Sequence, residues 1–348
     1  MKNSGLNLLK IISAVCVLVY HTINTFFDIE QFDGLKKCFV SAFFWGSGRI
    51  SVAVFIIISS WYLCEKKQFI NRIIYLWLST LLYSTIVGLV FISDNYSFFI
   101  KQLFPITNNV SWFISTYIFV LILAPFMNEI LNRYDIKYLL ITFGLIFGVV
   151  KMVYPNSRLW ISDIDIYIYI YMLTGFIKLQ TKFRPKMIPC IIVFLLSYLL
   201  EILWFTYFDT VSHFFSIIPI MGYSKWMFFQ NFQYLLPLLT AYSLFGIFIN
   251  INITSVKLTR FIDYLSGGLF GVYVCLSMDG PNGHLWWGEF FNISKYNLVK
   301  TYCCIIIIFI LTDFLDHFRL IIVKYIMSFN AFKRMINKAE LLYCPSND

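Results

Sequence analysis

The chain has 348 residues, 59% of them hydrophobic and only 13% charged, whereas soluble domains run to about 45–50% apolar and about 25% charged. With a mean hydropathy of +0.75, this excludes an ordinary water-soluble fold and points to a polytopic membrane protein. The net charge of +9 sits in short loops and forms no basic stripe, so it reports loop topology and excludes nucleic acid as a partner.

The first apolar run, Leu6 to Phe27, is long enough to cross a bilayer, since about 20 apolar residues suffice. It nevertheless carries Lys10 and His21. Eleven residues at about 100° each bring these two onto one face, about 16 Å apart. Ionisable groups in a membrane helix usually face a protein interior or a wet cavity, so the pair is expected to mark two ends of one passage. The plainer alternatives are a Lys10 that snorkels to the interface and a His21 that merely packs against a hydroxyl.

The second run begins after an acidic loop (Asp28, Glu30, Asp33) and holds Arg49 well inside it. Such a cation needs a partner or water. Asp165 and Asp279 are the structural candidates, and an anionic transition state is the functional one. A short basic turn, Glu65-Lys-Lys-Gln-Phe-Ile-Asn-Arg72, either sets topology or grips phosphate through Lys66, Lys67 and Arg72. Trp112 and Tyr117 open the fourth run, as belt aromatics or as walls of a sugar site. Tyr167, Tyr169 and Tyr171 alternate as in a strand, but inside a membrane run they are read as helical. Glu201 is an acid within the seventh run, either a neutral hydrogen-bonded carboxyl or a partner for Arg49 or Lys10. The late stretch Leu265-Ser-Gly-Gly-Leu-Phe-Gly271 carries small residues that allow helices to approach closely.

Apolar runs at 6–27, 38–63, 72–93, 110–128, 138–154, 163–179, 187–207, 226–249, 264–280 and 298–316 predict an all-α bundle of about ten transmembrane helices. With both termini in the cytosol, most of the 27 basic residues fall on cytosolic segments, as the positive-inside rule requires. The expected organisation is a membrane domain over 1–316 and a basic, amphipathic cytosolic tail over 317–348. No cleavable leader is expected, because the first run is full length. The eight cysteines form no spaced framework and are read as small hydrophobes, so neither a disulfide framework nor a metal site is expected.

Five motifs in order carry a resemblance. They are Asn7-Leu-Leu-Lys-Ile-Ile-Ser with His21; Val54-Phe-Ile-Ile-Ile-Ser-Ser-Trp-Tyr-Leu63; Phe104-Pro with Ser111-Trp-Phe-Ile-Ser-Thr-Tyr117; Ala124-Pro-Phe-Met-Asn128; and Phe270-Gly-Val-Tyr-Val-Cys-Leu276. Together they resemble the acyltransferase-3 family of integral-membrane acyltransferases, in the branch that O-acetylates bacterial surface glycans. Three positions depart from the family pattern. Lys10 stands where arginine is usual, which keeps charge but loses the planar two-pronged grip on phosphate. Ser60 replaces a glycine, and Leu276 replaces a late histidine.

The resemblance implies acetyl-CoA as acyl donor, no bound cofactor, and a hydroxyl of a cell-surface or lipid-linked polysaccharide as acceptor, in the inner or plasma membrane. On that reading His21 and Arg49 are catalytic, Lys10, Lys66, Lys67 and Arg72 hold the donor's phosphates, and Trp112, Tyr117 and Asp279 meet the acceptor. A second copy of the chain or the polysaccharide-assembly proteins are the implied protein partners. A transporter or flippase of a small polar solute or lipid-linked sugar is the rival class, and Leu276 keeps an inactive relative in view.

Overall fold

The structure is a computed structural model and describes residues 3–27, 34, 37, 47–66, 69–93, 95–146, 148, 163–215, 234–293 and 297–343. Lys67, the acids Asp28, Glu30 and Asp33, and most of the loop after the fifth apolar run lie outside the described residues.

The described residues are all-helical, with no strand. The helices are α1 (Ser4–Phe26), α2 (Ser47–Leu63), α3 (Ile70–Val90), α4 (Tyr96–Gln102), α5 (Trp112–Arg133), α6 (Lys137–Leu145) and α7 (Asp163–Leu179). They continue with α8 (Met187–Phe215), α9 (Leu235–Ile249), α10 (Val256–Leu276), α11 (Trp286–Phe291), α12 (Leu298–Ser328) and α13 (Asn330–Tyr343). The tyrosine alternation at 167–171 is helical, inside α7. Among the described residues, four segments are long and apolar enough to cross a membrane: α1, α3, α5 and Met187–Phe208 of α8. This is a membrane protein. Asparagine begins three of the helices by accepting a backbone N–H, with Asn3 on Leu6, Asn95 on Phe98 and Asn297 on Lys300, because the first N–H groups of a helix lack internal partners.

The chain forms two compact units. The first comprises residues 1–64 and 130–263. Its central element is α2, which packs on α1, α7 and α9 and buries Ile50, Val52, Ala53, Val54, Ile56, Ile57 and Ile58. A helix apolar all round belongs in an interior. By contrast α8 turns Leu195, Leu196, Leu199 and Leu200 outward, a face suited to lipid. Polar bonds gather several helix ends. Asn3 Nδ2 donates to the Ile249 carbonyl at 3.0 Å, Asn250 Nδ2 to Pro185 at 2.8 Å, and Lys178 Nζ to Trp61 at 2.7 Å. Exposed Lys182, Arg184, Lys186, Lys257 and Arg260 lie on segments at that end.

The second unit comprises residues 65–129 and 264–348. Here α3 packs on α4, α12 and α13. Helix α12 runs unbroken to Ser328, so position 316, where the sequence suggests a boundary, is mid-helix. Helix α13 lays Phe332, Ile336, Ala339 and Glu340 inward, the spacing of one helical face. Glu340 Oε1 accepts the Ile70 N–H at 2.8 Å and the Asn71 N–H at 3.4 Å. It thereby caps α3, which has no side-chain cap of its own.

Candidate functional site

In the first unit the candidate centre lies where α1 meets α2. Gly48 faces the Tyr20 side chain so closely that a Cβ there would collide with it, and its absence lets the two helices approach. The Tyr20 ring meets the His21 imidazole edge-on, with centroids 5.5 Å apart and planes at 80°. The Arg49 guanidinium carbon lies 6.0 Å from the Tyr20 centroid. His21 and Arg49, far apart in sequence, therefore both meet the Tyr20 ring, and both are half-buried.

At the other end of the same α1 face, Lys10 Nζ donates to Asn7 Oδ1 at 3.2 Å. Asn7 Nδ2 in turn donates to Asp263 Oδ1 at 2.8 Å. Tyr62 of α2 places its ring 5.9 Å from the Lys10 ammonium. Lys10 is thus held on a relay that ends in a carboxylate, which lowers its net pull on an incoming phosphate. Glu201, fully buried in α8, accepts a hydrogen bond from Thr240 at 2.6 Å, and Thr240 also bonds Ser197 at 2.8 Å. Of the readings open for Glu201, a hydrogen-bonded carboxyl has a visible partner. Its other oxygen has none among the described residues.

The remaining expected site residues belong to the second unit. Lys66 is exposed and its carbonyl accepts from Asn128 Nδ2 at 2.9 Å, so the closing asparagine of the Ala124-Pro-Phe-Met-Asn128 motif ties down the basic turn. Arg72 Nη2 donates to the Tyr117 hydroxyl at 3.1 Å, with the guanidinium 5.9 Å from that ring. A residue expected among donor phosphates and one expected at the acceptor sugar thus share one place. Tyr117 stacks on Phe113 at 6.0 Å, and Phe113 meets Tyr273 edge-on at 5.0 Å. Trp112 packs edge-on against Phe113. These contacts bring the fourth-run motif together with Phe270-Gly-Val-Tyr273.

Leu276 is buried, and its carbonyl accepts the Trp287 indole N–H at 2.9 Å. Asp279 pairs backbone with Leu285 in the turn that follows. Burial raises the Asp279 carboxyl above its ordinary pKa; His284 opposes the shift and Glu289 adds to it.

One constellation escapes sequence reading. On α12, Arg319 Nε donates to Asp316 Oδ1 at 2.8 Å and Nη2 to Oδ2 at 2.6 Å. Its Nη1 donates to the Tyr75 hydroxyl at 2.6 Å and to Ser79 at 2.9 Å. Tyr83 donates to Asp316 Oδ1 through a very short bond. One turn earlier, Asp313 is buried with Oδ1 unpartnered among the described residues. His317 Nδ1 bonds the Asp313 carbonyl at 2.9 Å and its ring stacks on Tyr264 at 3.9 Å. By position Arg319 looks like one of the tail's cations; in the structure it is interior. The legible signal was Asp-x-x-Asp-x-x-Arg, which puts three charges on one helical face.

Comparison with models of known protein families, with curated proteins and with solved structures finds no match for this chain.

Proposed function

We propose that the chain is a multi-pass O-acyltransferase of the inner or plasma membrane, moving an acetyl group from cytosolic acetyl-CoA to a hydroxyl of a cell-surface or lipid-linked polysaccharide. The observation that carries this reading is the convergence of His21 and Arg49 at Tyr20, with Lys10 three turns away on the same helix. About ten spans with both termini cytosolic complete it, because the exposed cations gathered at one end of the first unit then obey the positive-inside rule.

In the reaction the acceptor oxygen attacks the thioester carbon and the carbon–sulfur bond breaks. His21 takes the hydroxyl proton and passes it to the departing thiolate, so coenzyme A leaves as the thiol. A two-step course through an acetyl-imidazole satisfies the same balance. Arg49 stabilises the oxygen on which negative charge develops. Lys10 holds a donor phosphate through a charged hydrogen bond at the lower end of the usual range of about 1.5–3 kcal/mol, because the Asn7–Asp263 relay draws on the same ammonium.

The test uses purified full-length protein in lipid nanodiscs, with acetyl-CoA and an O-deacetylated surface glycan, reading thiol release and ester-linked acetate together. Coupled formation of both supports the reading. Lys10→Met should raise the apparent KM for acetyl-CoA about tenfold or more, leaving kcat nearly unchanged. Absence of turnover with every glycan of the host envelope contradicts the reading.

The transporter reading has one observation in its favour, the interior Asp313, Asp316 and Arg319 of the second unit, since buried intramembrane charges often mark solute or ion routes. Solute accumulation in proteoliposomes without thiol release would select it.

A further inference from the structure

We propose that the first unit holds a site for an anionic phospholipid, with one acyl chain seated between α2, α7, α8 and α9 and its phosphate held by Lys182, Arg184 and Lys186. The inference is independent of the acyl-transfer reading. A cavity of about 350 Å³ lies between these helices, walled by Trp61, Ile177, Pro189, Val193, Leu239 and Phe245 among others.

The hydroxyls in that wall are already used. The Thr174 hydroxyl donates to the Ile170 carbonyl at 2.7 Å and lies 2.9 Å from the Tyr242 hydroxyl. Ser243 donates to Leu239 at 2.7 Å. A sugar or a water cluster would find few partners there beyond the Trp61 indole N–H, and a roomy cavity with few polar partners suits an apolar occupant.

The mouth supplies the other half of the argument. The segment 182–186 carries no regular structure, and its Phe183 and Pro185 line the cavity. Lys182, Arg184 and Lys186, which alternate with them, are exposed. Lys178 adds a cation at the edge, 5.3 Å from the Trp61 ring. No acid occurs from 178 to 187. An apolar slot beside a cluster of cations at a membrane-facing helix bundle matches a lipid carrying both a chain and a net negative head group. A free phosphate would leave the slot empty, and a zwitterionic lipid would gain little from the cations.

Trp61 in the wall is the reporter. The full chain is reconstituted in brominated phosphatidylcholine, which quenches tryptophan, and unbrominated phosphatidylglycerol is added in steps. The Trp61 contribution, among nine tryptophans, is the difference from Trp61→Phe. Recovery should show phosphatidylglycerol favoured at Trp61 by about tenfold or more over random mixing. Changing Lys182, Arg184 and Lys186 together to Gln should bring it back to random mixing. Val193→Phe, at a partly exposed wall position, should do the same by filling the slot. Random-mixing recovery in the unaltered chain overturns the proposal, as does selectivity that survives both changes. Recovery with palmitoyl-CoA but not phosphatidylglycerol makes the cavity a donor site and overturns it equally.

Discussion

Arg319 clasps Asp316 through two parallel donors at 2.8 and 2.6 Å, three residues apart on α12, with both side chains buried. Removing one partner of a buried pair strands the other charge, at a cost of about 3–5 kcal/mol. Arg319→Met should therefore lower stability by that order. Asp316→Leu combined with Arg319→Met should recover part of the loss, because no charge is then left unpaired. Thermal unfolding in detergent measures both. A double variant no more stable than Arg319→Met would show that the polar contacts to Tyr75 and Ser79, not charge balance, set the cost.

The glycines of Leu265-Ser-Gly-Gly-Leu-Phe-Gly271 divide into two kinds. A Cβ at Gly271 would run into the Asp316 carboxylate and the Tyr83 hydroxyl, whereas one at Gly267 would meet only His317 Nε2, at 3.9 Å. Gly271→Ala should cost about 1–3 kcal/mol through overpacking. Gly267→Ala should be neutral or stabilise by up to about 1 kcal/mol, since alanine is the better helix former. Unfolding midpoints of the two variants, taken side by side, check this contrast.

Glu340 reaches from α13 to the first N–H groups of α3, where a negative charge also meets the positive end of the helix dipole. Glu340→Gln keeps an acceptor and should cost less than Glu340→Ala, which should lose about 1 kcal/mol. Hydrogen exchange at Ile70 and Asn71 should quicken in the alanine variant. Exchange there identical to that of the unaltered chain would rule out the cap.

These contacts mark where sequence reading succeeds and where it stops. Run length and hydropathy gave the helical class because a bilayer demands internal hydrogen bonding, and that demand made the tyrosines of 167–171 helical despite their alternation. The role of Gly271 was legible only as closeness, since which side chain comes close depends on a partner helix more than forty residues away. Arg319 was misplaced for a related reason. Lying past the apparent end of an apolar run, it has the local surroundings of a tail cation, and only the continuation of α12 to Ser328 turns it inward. The meeting of His21 and Arg49 at the Tyr20 ring was not readable either, because it depends on how α1 packs against α2 at Gly48.

Asp279 carries the pH prediction. Its carboxyl is raised above the ordinary value, so the folded state favours the neutral form. Its contribution to stability is complete below the unfolded value of about 3.9 and is lost as pH rises through the raised folded value. The side chain keeps solvent contact, so screening holds the effect small. Asp279→Asn should gain stability relative to the unaltered chain between acid and neutral pH. Unfolding temperatures of both at several pH values check the sign, and a constant offset contradicts it.

The most direct measurement is the ester-linked acetate of the surface glycan, read by NMR on cells that carry either the unaltered chain or His21→Gln at equal levels in the membrane. Loss of a positioned proton acceptor removes about 10²–10⁴-fold in rate, so the account predicts acetate in the variant at the level of cells without the protein. Acetate equal to that of cells with the unaltered chain would contradict it.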